Sequence, residues 1–110
     1  MSDLIEVLSA ARELIRDPGR FVRGAHAYRA DGGSTSAKDP LACHFCLIGA
    51  LRRVSQDDFM FNAAAMRLLI GIGNHPKAHL SSLAQWSDSQ GHAAVISLLD
   101  RTIAKLEAEQ

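Results

Sequence analysis

Apolar residues recur along this chain at intervals of three and four, and nowhere do they alternate with polar ones over a sustained stretch. That spacing places apolar side chains on one face of a helix, so it predicts an all-α protein of about five helices. The first runs from Ser2 to Asp17, with Ser2 as its cap, Leu4, Leu8, Ala11 and Ile15 as one stripe, and "DPG" at 17–19 as its stop. "RFVRGAHAYRA" at 20–30 is less periodic and reads as helix, turn or both. "DGGSTSAKDP" at 31–40 gathers Gly, Ser, Asp and Pro, residues that favour positive φ, local capping or a fixed φ, and reads as a loop.

Asp39 followed by Pro40 has the form of an N-cap and first helical position, predicting a third helix that continues to Val54. Ser55 with Asp58 resembles a capping box in its acidic variant and opens a fourth helix ending at "GIG", residues 71–73. Between Phe59 and Ile70 only Asn62 and Arg67 are polar. A helix apolar nearly all round is buried on more than one side, so this one is expected at the centre of the bundle, with a homodimer interface as the alternative. A short helix from Pro76 to Trp86 leads through "SDSQG" into the last, where Val95, Leu99, Ile103 and Leu106 form a stripe.

Composition narrows the class. A chain of 110 residues suits one hydrophobic core, so a single domain over 1–110 is expected. With 47% hydrophobic residues and twelve basic balanced by twelve acidic ones, the profile is that of a folded, soluble protein. Zero net charge and no basic run longer than Arg52 and Arg53 argue against nucleic acid as partner, because phosphate binding needs clustered cations. No membrane span is expected either, since no segment approaches the roughly 20 apolar residues one requires. Two cysteines three positions apart do not make a secreted disulfide framework, so a cytoplasmic location is expected.

The stretch with most chemical content is "CHFC", residues 43–46. Zinc would draw on Cys43, Cys46, His75 and His79, but the whole fourth helix lies between the two halves of that set, so no metal and no cofactor are expected. Redox chemistry needs a thiol at a helix N-terminus, usually after a strand, and the predicted helix start at Asp39 puts both thiols inside the helix. Cys46 as a nucleophile would need a base from His92, His79, His44 or His26, with Asp88 as orienter. Core packing is the simplest account of Cys43, which shares a helical stripe with Leu47, Ala50 and Val54. Cys46 aligns instead with Gly49 and Arg53, a less apolar face.

Three stretches together resemble a family of small, functionally uncharacterised helical proteins found mainly in bacteria and their phages. "GAHAYRADGG" at 24–33 is similar to that family's G-A-x-A-x-D-x-D-G, "CLIGAL" at 46–51 to its C-x-x-G-A-L, and "WSD" at 86–88 to its W-N-D. Arg29 stands where an acidic residue is usual, Ser87 replaces Asn, and Cys43 lies outside the pattern, whereas Cys46 belongs to it. The resemblance implies a helical fold and brings no activity.

Each remaining motif has a structural and a chemical reading. Ser87 and Gln90 have capping-box spacing at the start of the last helix, with Trp86 anchoring the preceding one; alternatively Asp88 holds His92 as a base and Trp86 floors a pocket. Arg23 and Arg29 beside glycines either bind an anion or are solvated on a turn. The best reading is a non-catalytic binding or interaction module for a protein or small molecule, with Trp86, Arg23 and Arg29 as ligand contacts. The alternative is a cysteine-dependent hydrolase or acyl-transferase using Cys46, His92 and Asp88.

Overall fold

The structure, a computed structural model, describes residues 3–75 and 77–109. Among the described residues there are five α-helices, as the periodicity predicts: α1 (Asp3–Leu14), α2 (Leu47–Val54), α3 (Asp58–Gly71), α4 (Leu80–Gln90) and α5 (His92–Ala108). Between α1 and α2 lie one 3-10 turn, Pro18–Arg20, and three short strands, β1 (Ala27–Arg29), β2 (Ser34–Thr35) and β3 (Ala42–Phe45). The chain is therefore not purely α. The antiparallel sheet has the order β2-β1-β3, with Ala27 opposite Thr35 on one side and Phe45 on the other.

The hairpin follows from its turn. Gly32 has φ +89°, a backbone state that glycine adopts without Cβ strain, and Asp31 accepts a hydrogen bond from the Gly33 amide at 2.8 Å. The segment expected to be a loop thus closes a hairpin and contributes β2. Asp39 does not cap a helix. Its carboxylate accepts hydrogen bonds from the Leu41 amide at 2.9 Å, from Arg29 Nε at 3.0 Å and from the Thr35 hydroxyl, tying the loop back to the sheet. The same contacts, Thr35 foremost, hold its pKa down at about 2.

With Asp39 so engaged, β3 occupies 42–45 and α2 begins only at Leu47, capped by Cys46. Arg53 donates to the carbonyls of Ala37 and Asp39, while Lys38 donates to those of Arg53 and Ser55. Loop and helix C-terminus thereby satisfy each other's backbone groups, which a buried helix end requires.

Other expected caps move as well. Ser55 ends α2 by donating to the Leu51 carbonyl at 2.6 Å, and Asp57 caps α3 through the Met60 amide at 2.9 Å. His79 caps α4, which runs on through Ser87 and Asp88 to Gln90 instead of ending at Trp86. The turn into α5 is made by Gly91 at φ +90°. Ser2 and Pro76, the expected starts of the first helix and of the helix before the last, lie outside the described residues.

One core joins these elements. Leu8, Ala11 and Ile15 meet Leu47, Ala50 and Leu51 of α2, Phe61, Leu68 and Leu69 of α3, and Val95, Leu98 and Leu99 of α5. Truncating one such leucine costs roughly 2–5 kcal/mol. α3 packs against all four other helices, yet Phe59, Met66 and Ile70 remain exposed on its outer face. Among the described residues no helix is long and apolar enough to cross a membrane.

Candidate functional site

The sheet does more than decorate the helices, because it presents polar side chains beside the N-terminus of α5. The 3-10 turn is held against β3 by Arg20, which donates to the Cys43 carbonyl at 3.2 Å, and by the Val22 amide, which donates to the Phe45 carbonyl at 3.0 Å. An open pocket of about 720 Å³ forms there, lined among others by Phe21, Arg23, Tyr28, Arg29, His44 and His92. That volume lies in the range of small-molecule sites. Four of the six side chains are nitrogen donors or titratable imidazoles, and two are aromatic rings.

Two of the ligand contacts expected from sequence, Arg23 and Arg29, meet here. Trp86 does not line this pocket. It lies half-buried on α4 against the core. Arg29 engages Asp39 through Nε, and Arg23 makes no hydrogen bond or ion pair among the described residues. The His92 ring lies edge-on to Phe21 with centroids 5.6 Å apart, and its Nε2–H donates to the Ile15 carbonyl at 2.7 Å. The proton on Nε2 leaves Nδ1 as the ring's acceptor when the imidazole is neutral. His44 is new to the site. Its Nδ1 lies 3.2 Å from Cys43 Sγ, and it reaches the pocket because β3 replaces the expected helix. The "DGG" turn dipeptides were the available signal for that hairpin.

Cys46 and Asp88 line a different, smaller recess of about 140 Å³, together with, among others, Ala25, His26, Ile48, Ala84 and Ser87. Cys46 follows a strand and sits at the N-cap of α2, where its sulfur accepts the Gly49 amide hydrogen bond at 3.3 Å. It is 7% exposed and Cys43 is half-buried, so the packed thiol is Cys46 and not Cys43. Burial pushes the Cys46 thiol pKa up; the Gly49 and Ile48 amides oppose this, and the charge of Asp88 adds to it. Gly49 explains the neighbouring motif. A Cβ there would lie 1.7 Å from the His26 carbonyl oxygen, so only glycine admits the crossing chain. That chain is held by the Cys46 amide, which donates to the His26 carbonyl at 3.2 Å.

The three proposed members of a catalytic set are thus distributed over two places, Cys46 and Asp88 in the recess and His92 in the open pocket. Of the other candidate bases, His26 lines the recess with Cys46 and Asp88 and gives its main-chain carbonyl to the Cys46 amide, His44 lines the open pocket, and His79 accepts the Ser81 amide hydrogen bond; His75, considered for zinc, accepts that of Lys77. Among the described residues no group of three or more His, Cys, Asp or Glu gathers where it could hold a metal ion.

Fold and site together define a small, predominantly helical protein whose inserted three-stranded sheet frames a basic, aromatic-lined pocket. Residues 1–105 match the model for a Family of unknown function (DUF6197), and the chain belongs to that family. No curated protein and no solved structure matches it.

Proposed function

We propose that this chain is a non-catalytic binding module and that its ligand is a compact anion with an aromatic or apolar body, taken into the open pocket. One observation carries the reading: Arg23 and Arg29, with His44 and His92, face the same space as the Phe21 and Tyr28 rings. Guanidinium groups match carboxylate or phosphate geometry, and the rings offer flat apolar surface beside them. The free state of both cysteines fits the expected reducing, cytoplasmic setting.

Phenyl phosphate, followed by NMR on the His44 and His92 ring resonances, tests this directly. Saturable shifts are expected, weakened about tenfold by Arg23→Gln, the scale of one lost charge-assisted hydrogen bond. Arg23→Gln should leave thermal stability unchanged. Phenol binding as well as phenyl phosphate, or an unaltered affinity in the variant, overturns the anion reading.

The second reading, a hydrolase or acyl-transferase with Cys46 as nucleophile, is supported by the proximity of Asp88 to the thiol and opposed by burial of the sulfur and its capping role. Iodoacetamide labelling with peptide mapping separates the two. Labelling of native Cys46 at neutral pH, faster than that of an ordinary thiol, is the outcome that favours catalysis.

A further inference from the structure

The recess beside Cys46 has a feature that capping and packing leave unexplained. Ser87 is 1% exposed and its Oγ has no hydrogen-bond partner, the one such buried side-chain atom among the described residues. Buried hydroxyls are almost always paired, because leaving one without a partner forfeits the hydrogen bonds water would supply. Serine inside a helix commonly donates to the carbonyl four residues back, as Thr102 does to Leu98 at 2.8 Å in α5, but Ser87 makes no such bond. The next residue, Asp88, is half-buried, lines the same recess and has no ion-pair partner among the described residues.

We propose that this recess, between the Gly24–His26 crossing, the N-terminus of α2 and the last turns of α4, is a second binding site, for a small primary ammonium held by the Asp88 carboxylate and Ser87 Oγ. An ammonium group brings three donors and a positive charge to two acceptors, one of them anionic. The Gly49 amide at the helix N-terminus, which would otherwise favour an anion, is already taken by Cys46 Sγ. Asp88 repels anions from the same space. Ala25, Ile48 and Ala84, beside His26, form small apolar walls suited to a short aliphatic tail, and about 140 Å³ leaves room for about four or five heavy atoms. This site is separate from the open pocket and does not depend on what that pocket binds.

The experiment compares ethylammonium, acetamide and acetate, added at matched ionic strength to the full chain, with amide shifts of Cys46, Ile48 and Ala84 as the readout. Ethylammonium alone is expected to saturate. Asp88→Asn should weaken it at least about tenfold, and Ser87→Ala about fivefold, in keeping with a charged and a neutral hydrogen bond. Without ligand, Ser87→Ala should keep or raise the thermal midpoint, because the removed hydroxyl had no partner to lose. Acetate or acetamide binding as well as ethylammonium overturns the proposal. So does a Ser87→Ala variant that binds ethylammonium as tightly as the parent, or one whose midpoint falls without ligand, since the hydroxyl would then serve the fold.

Discussion

The open pocket and the recess draw on the same stretch of chain, residues 21–30, and are built in opposite ways. The pocket is walled by side chains that reach outward from a turn, a small sheet and a helix start, and of its two arginines Arg29 ties down the loop through Asp39 while Arg23 makes no hydrogen bond or ion pair among the described residues. The recess is walled by main chain, alanines and helix ends, and the residues beside it hold the fold together. Cys46 is at once a recess wall, the cap of α2 and the anchor of the 24–26 crossing. Changes at the pocket should therefore alter binding with the fold intact, whereas changes around the recess should reach stability first.

The hardest test of that contrast is Gly49→Ala. The added Cβ meets backbone, not a side chain that could swing aside, and overpacking against rigid neighbours costs about 3 kcal/mol or more. Denaturant unfolding should show that loss, and both sites should fail together because the 24–26 crossing leads into each. A variant that keeps parental stability would mean that the crossing is not tightly docked, and the contrast would dissolve.

Cys46 sharpens the comparison at smaller scale. Cys46→Ser keeps an atom that can accept the Gly49 amide and is expected to be tolerated, while Cys46→Ala exposes the helix start and should be less stable than the serine variant by about 1 kcal/mol. Equal midpoints for the two would show that the cap contributes nothing and that the sulfur matters only for its volume.

The mildest test is acid. Asp39 anchors the loop beneath the pocket and titrates at about 2 against a reference of 3.8. Because its folded pKa is depressed, its contribution is complete above about pH 4 and disappears as pH falls through about 2. The Arg29 and Thr35 resonances should move in that window, with the recess amides unaffected. Coincident movement of Ala25 and Ile48 would show that pocket and recess loosen as one unit.

Legibility in the sequence followed the length of each element. The stripes of α1 and α5 span several turns and α3 is a long run apolar nearly all round, so these helices emerge from the residues alone, as do the stops at "DPG" and "GIG". β1, β2 and β3 have three, two and four residues, too few for alternation to register. Asp39 and Pro40 satisfy the local rule for a helix start, and tertiary contacts outcompeted it: Arg29 and Thr35 claimed the carboxylate. Ser87 and Gln90 had the spacing of a cap, yet Gly91 supplies the sharper break through its positive φ. α3 read as apolar all round because Phe59, Met66 and Ile70, though exposed, are no different in type from the buried Phe61, Leu68 and Leu69.

What the sequence determined by itself was the helical frame, the likeness to a family of uncharacterised function, and a short list of chemistry-bearing residues that included Arg23, Arg29, Cys46, Asp88 and His92. How those residues are grouped was decided only in three dimensions. Arg23 and Arg29 came together with His92, and Cys46 with Asp88 and Ser87, because the chain between α1 and α2 folds into a sheet and crosses Gly49. That crossing depends on contacts between residues far apart in the chain, and helical periodicity reports only on neighbours a turn or two away.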